Sequence, residues 1–257
     1  NSSVFVRQAS LGNPNLKSAS STNYNLGFIY QFKATTLSLD LWEIDYENRI
    51  EVESAQAILS SNPNGPSVTR NEFGDLIGVS TTYFNEENTF ISGIDFQFEY
   101  LMEISKGDLS INIMGTSLTD FLTPSLNSPN KMINRIGKFN FDNHVHSLPK
   151  KRINSFINWS YKNFVLGFST RYIDGYKNER EITGLGLTYG YQNTVKSFLV
   201  HDISLKASKG NLSYSIYLSN LLDKSAPRLY DAPDFSFDTR VHDPRGRILG
   251  LNIGYEF

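Results

Sequence analysis

The sequence has no cysteine in 257 residues. That excludes disulfides, thiolate metal sites and cysteine nucleophiles together, and it suits a chain that crosses an oxidising compartment. Net charge is −2, from 24 basic and 26 acidic residues, so there is no electrostatic footprint for nucleic acid. No run approaches the roughly 18 apolar residues of a membrane-spanning helix, and mean hydropathy is −0.33. The opening "NSSVFVRQAS" lacks the basic and apolar regions of a secretory leader, and reads as a mature product or a piece of a longer chain. Neither Gly-x-Ser-x-Gly nor His-Glu-x-x-His occurs. No cofactor-binding motif is found.

Aromatics, by contrast, are plentiful: 18 Phe, 14 Tyr and 2 Trp. They fall in strings with a period of two, the mark of strands with one apolar face. In the closing "RILGLNIGYEF", Leu249, Leu251, Ile253, Tyr255 and Phe257 alternate with Gly250, Asn252, Gly254 and Glu256. Eight earlier segments read the same way: Thr22–Phe32, Thr36–Tyr46, Phe90–Met102, Asp108–Leu118, Arg152–Lys162, Phe164–Ile173, Phe198–Ser208 and Asn211–Leu222. A partial strand is expected at Ser3–Gln8.

The connections alternate in length. "KAT", "SKG", "KN" and a second "SKG" join four pairs, whereas the intervening connections run to about 20–45 residues. The polar faces carry Ser, Asn, Gly, Thr and Gln, as a wet lumen requires. Strands of this length cross a hydrocarbon core of about 30 Å when tilted. Dyad alternation, short turns at one end, long loops at the other and aromatics near strand ends together predict an all-β transmembrane antiparallel barrel. The alternative is a soluble β-sandwich or solenoid whose greasy face is core.

Site chemistry is sparse. "HVH" at His144 and His146 supplies two imidazoles, too few for zinc. "GLGLTYGYQ" (Gly184–Gln192) lacks a phosphate loop's strand-then-helix setting and reads as loop or strand extension. Acids gather in Tyr230–Arg247, where a calcium site competes with a hydrated loop. His201 and Asp202 are adjacent, but strand neighbours point to opposite faces, so they make no catalytic pair.

Four segments resemble TonB-dependent outer-membrane receptors. "GNPNLKSASSTNYNLGFIY" (Gly12–Tyr30) resembles their Gly-Asn-Pro-x-Leu segment, and "SGIDFQFEY" (Ser92–Tyr100) their Ser/Thr-Gly-Ile/Val-Asp/Glu strand. "LSNLLDKSAPRLYD" (Leu218–Asp231) resembles their Asn-Leu-Phe/Leu-Asp-Lys-x-x-Pro segment, and "HDPRGRILGLNIGYEF" (His242–Phe257) their terminal strand ending in Phe. Ser18 and Ala19 depart from the family's frequent Pro-Glu, and Asn25 from its Glu; these are rim positions.

The resemblance implies a Gram-negative outer-membrane location and active import of a scarce ligand (siderophore-iron, cobalamin or oligosaccharide), driven through TonB. Family members have a plug domain, a TonB box and 22 strands. This chain shows nine or ten strands and no plug, so residues 1–257 are expected to be the C-terminal half of the barrel, pairing with an absent N-terminal half. Tyr255 and Phe257 fit the signal read by the barrel-assembly machinery. Expected ligand contacts on the long loops are Tyr176, Tyr191, Phe235, Phe237, Arg240 and His242, because aromatic and guanidinium groups grip sugar rings and aromatic or anionic chelates. Arg245 and Arg247 are placed to meet lipopolysaccharide phosphates. A passive porin-like channel and an outer-membrane barrel enzyme are the alternative readings.

Overall fold

A computed structural model describes residues 6–125, 128–139, 147–182, 184–230, 232 and 235–256. Nine long strands dominate: β1 (Ser20–Phe32), β2 (Thr35–Glu47), β3 (Thr89–Ile104), β4 (Gly107–Ser125), β5 (Lys151–Tyr161), β6 (Phe164–Ile173), β7 (Phe198–Lys209), β8 (Leu212–Ser219) and β9 (Ile248–Tyr255). They lie side by side in sequence order in one sheet. Every adjacent pair is antiparallel. A tenth strand, Ser128–Asn134, folds back on the far half of β4. β1 and β9 are the two edges, and all 13 residues of β1 are exposed.

Register converts the alternation in sequence into two continuous faces. Leu41 pairs with Leu26 on one side and Ile94 on the other. Leu205 lies between Leu166 and Ile216, and Ile216 between Leu205 and Leu251. The opposite face is hydrogen-bonded. Thr116 donates to Asp95 at 2.6 Å, Asn112 to Glu99 at 2.9 Å and Ser219 to Asp202 at 2.7 Å. Glycines flatten this polar wall at two points: Trp42 lies across its cross-strand partner Gly93, and Tyr217 across Gly250. A Cβ on either glycine would overlap the ring. The β3–β4 register shifts at Ser92/Gly93, beside Trp42.

All four tight turns need a left-handed residue. Gly107 (φ 98°) and Gly210 (φ 59°) serve the two "SKG" turns, while Lys33 (φ 51°) and Lys162 (φ 54°) serve the others. The long connections leave from the opposite end, and they hold structure of their own. Arg49–Val52, Val68–Arg70 and Leu76–Glu86 form a small sheet with Arg7–Leu11, which joins in parallel. A short helix, Ala55–Ser61, starts where the Ser54 hydroxyl accepts from the Ala57 amide at 3.2 Å.

All nine expected strands are present. Of the partial strand expected at Ser3–Gln8, residues 3–5 lie outside the described residues, and a strand runs over Arg7–Leu11; β4 continues past Leu118 to Ser125. β8 stops at Ser219 rather than Leu222 because Asn220 turns left-handed, at φ 52°. Within Gly184–Gln192, expected to be loop or strand, Gly184–Thr188 forms one helical turn. His144, His146 and Phe257 lie outside the described residues.

Candidate functional site

The long connections from β4 onward build a cap at the loop end of the sheet. Three two- to three-residue strands, Lys138–Phe139, Tyr176–Asn178 and Thr194–Val195, pair with one another. Their pairing brings Phe139, Tyr176, Val195 and Leu229 into a buried cluster, with Ala232 against it. The Arg180 guanidinium lies 4.4 Å from the Phe139 ring centroid. Buried Asn178 accepts from the Arg180 amide at 3.0 Å and donates to the Tyr230 carbonyl at 3.2 Å. Asp238 anchors the last long loop, accepting from the Ser147 amide at 2.9 Å and from its hydroxyl.

Of the six expected ligand contacts, Tyr176 and His242 are buried within this cap. Their rings stack with centroids 5.9 Å apart, the Tyr176 hydroxyl is 3.3 Å from His242 Nε2, and Phe198 meets the imidazole edge-on. Burial drives the His242 pKa down to about 4, aided by the nearby charge of Arg152, with Asp238 opposing. Burial pushes Tyr176 up to about 12. Both side chains are therefore neutral at pH 7 and serve as packing. Phe198 starts β7 on its polar-face parity, so this part of the cap leans over the polar wall.

The other four are accessible. Phe235 is exposed and stacks on half-buried Phe237 at 5.6 Å, and Arg240 is exposed. Tyr191 sits in a cluster that the sequence reading missed. The Arg228 guanidinium lies 4.2 Å from the Tyr191 ring centroid, Tyr230 meets Tyr191 edge-on at 5.5 Å, and Arg228 donates to the Tyr189 carbonyl at 3.1 Å. The sequence signal for it is the Arg-Leu-Tyr run after Pro227.

The motif residues prove to be ties between loop roots. Asn13 donates to the Tyr83 carbonyl at 2.9 Å, and the Asn85 side chain accepts from the Lys17 amide at 2.8 Å and donates to its carbonyl at 2.9 Å. The "NLLDK" and "DPRGR" segments meet where the Arg247 amide donates to Asp223 at 2.8 Å. Asn220 bridges the Asp202 carboxylate and both backbone groups of Lys224. Buried Glu86 joins two loops, accepting from Arg49 at 2.5 Å and lying 3.7 Å from Arg135. Arg245 and Arg247 are exposed just before β9. Arg245 pairs with Asp243 at 2.7 Å, which holds that carboxyl down at about 2. Of the acids in Tyr230–Arg247 that are described, Asp243 is held by Arg245 and Asp238 by Ser147 and the Arg240 amide, and no metal-ligating cluster occurs among the described residues. His201 lies on the apolar face, 2.9 Å from Thr170, while Asp202 faces Arg171 across the polar wall.

An up-and-down antiparallel sheet with one apolar face, one wet face, tight turns at one end and a built cap at the other is the wall of a transmembrane β-barrel. Residues 3–221 match the family model for the TonB-dependent receptor-like β-barrel. The chain belongs to the TonB-dependent receptor family, in its barrel part. No curated protein matches the sequence. Among solved structures, the ferric enterobactin receptor PfeA of Pseudomonas aeruginosa aligns with a TM-score of 0.63 at 17% identity over 96% of this chain and 33% of its own. The siderophore receptor PirA of Acinetobacter baumannii aligns at 0.61 and 17%, over 96% and 33%. The FrpB iron transporter of Neisseria meningitidis aligns at 0.59 and 12%, again over 96% and 33%. The chain thus spans about a third of the length of these receptors.

Proposed function

We propose that this chain is the C-terminal barrel part of an outer-membrane receptor for active import. Its ligand would be a scarce chelate, with a ferric siderophore favoured over cobalamin or an oligosaccharide because the similar structures are siderophore and iron receptors. One observation carries the reading: a family barrel wall that ends in two edges, β1 and β9, with no strand paired beyond them among the described residues. Nine strands leave these edges running in the same direction, so they cannot close on each other in an all-antiparallel barrel. Unpaired edges in hydrocarbon cost several kcal/mol per group, so an N-terminal half with a plug is the expected completion. The TonB complex would supply energy through that half, and the barrel-assembly machinery would insert the whole.

Ligand contacts are proposed at Tyr191, Phe235, Phe237 and Arg240, joined by Arg228 and Tyr230. Arg245 and Arg247 remain the candidates for lipopolysaccharide phosphate. The test is uptake of radioactive iron by cells carrying the complete receptor as their sole route for a panel of ferric siderophores. Uptake that stops when the proton gradient is collapsed supports the reading. Uptake by passive diffusion alone, unaffected by that collapse, contradicts it and favours a porin-like channel.

A further inference from the structure

We propose that the short-turn rim of the wall binds anionic phospholipid headgroups of the leaflet around it. This rests on the outer-membrane reading above. Each of the four tight turns carries one lysine: Lys33, Lys106, Lys162 and Lys209. All four are exposed, and none forms an ion pair among the described residues. Turn geometry does not ask for them. Lys33 and Lys162 occupy the left-handed position at φ 51° and 54°, which disfavours any residue with a Cβ. In the other two turns glycine takes that position, and the lysine immediately precedes it. The turn chemistry varies while the cation stays.

The ammonium groups that can be placed lie outside the wall. Lys33 Nζ is 5.3 Å from the Phe32 ring centroid, and Lys162 Nζ is 5.2 Å from that of Tyr161. Both rings continue the apolar face. Tyr100, Trp159, Phe164, Tyr214 and Tyr255 share that face near the same end, forming the girdle that marks a membrane interface. The Trp159 indole donates to the Lys106 carbonyl at 2.8 Å, tying girdle to turn. The described carboxylates at this end, Glu103, Asp108 and Glu256, take the polar-face parity, with Glu103 opposite Asp108 in register. At one depth, then, acids point to the lumen and uncompensated cations stand at headgroup level. A phosphodiester complements a compact ammonium there. One cation per hairpin, each spaced along the circumference, matches a lipid annulus rather than the compact footprint of a protein.

The experiment uses the complete receptor in nanodiscs of phosphatidylcholine containing a minor share of phosphatidylglycerol, with spin-labelled lipids reporting the annular shell. Wild type should select phosphatidylglycerol severalfold, and high salt should weaken that selection. K33Q/K106Q/K162Q/K209Q should bring selection close to unity while the barrel stays heat-modifiable on a gel. K138Q/K177Q/K196Q, at the loop end, should keep wild-type selection. No selection in wild type, or equal selection in the four-turn variant, overturns the proposal. A receptor that enters no bilayer refutes the outer-membrane reading, and the proposal falls with it.

Discussion

In the wall, Leu249 is 72% exposed and Ile253 69%, whereas in the cap Phe139 and Leu229 are sealed at 0% and 1%. One chain thus holds two solutions to placing hydrophobic side chains. The cap buries a small core against its own backbone, as a water-soluble domain does. The wall has no core of that kind; its apolar side chains cover one face and rely on hydrocarbon to receive them. Polar groups differ in the same sense. In the cap, buried Asn178 and Asp238 each hold specific partners, while in the wall polar groups form an open hydrogen-bonded lining. Which solvent a region meets, more than its hydrophobicity, decides what its side chains do.

The largest expected effect lies in the cap. Phe139→Ala removes the ring beneath Arg180 and should cost the cap about 3–5 kcal/mol, by analogy with other buried Phe→Ala changes. The matching wall change, Phe28→Ala, leaves no protein cavity, and hydrogen exchange at Tyr176–Asn178 should not register it. Equal loss of protection in both variants would erase the distinction between the regions.

Next come charges on the two wall faces. Ile113→Arg and Leu251→Arg place a guanidinium against lipid and should cost roughly 2–4 kcal/mol near the midplane. Asn112→Lys and Asn252→Lys, one residue away on the lumenal face, should be tolerated far better. Denaturant unfolding of the reconstituted receptor measures both pairs. Somewhat smaller is the effect of Gly93→Ala or Gly250→Ala, which must lift Trp42 or Tyr217 off the wall at about 1–3 kcal/mol. Tryptophan fluorescence should change in Gly93→Ala and stay as in wild type in Gly250→Ala.

The cap should also respond to acid. His242 has a folded pKa near 4 against an ordinary 6.5. The unfolded cap therefore binds the proton more readily, so the stabilising contribution is complete above pH 6.5 and is lost as pH falls toward 4. Asp243 contributes in a lower window: its stabilisation is present above 3.8 and is lost as pH falls through about 2. Proteolysis of the last long loop should therefore speed up between pH 6.5 and 4, and H242F should flatten that dependence.

The wall was legible because alternation is a local signal that register merely extends. Leu41 meets Leu26 and Ile94 as its own period of two demands. The cap was not legible, because its strands are two to three residues long and carry no period. The parallel pairing of Arg7–Leu11 with residues about seventy positions away leaves no local trace. For Tyr176 and His242, loop position and residue type point to a ligand, but the same chemistry that grips a ligand also packs a core. Arg228 was passed over because its partners, Tyr191 and Tyr230, come from two different loops.

The central claim is that the two faces of this sheet meet different media. Nitroxide labels placed singly at each position from Leu109 to Leu118 along β4, in the complete reconstituted receptor, test it most directly. Collision rates with oxygen, which concentrates in hydrocarbon, should peak at Leu109, Ile111, Ile113, Gly115 and Ser117. Collision rates with a water-soluble nickel chelate should peak at the positions between. Two profiles in opposite phase with a period of two are the predicted result. Profiles that rise and fall together, or that show no period, would contradict it.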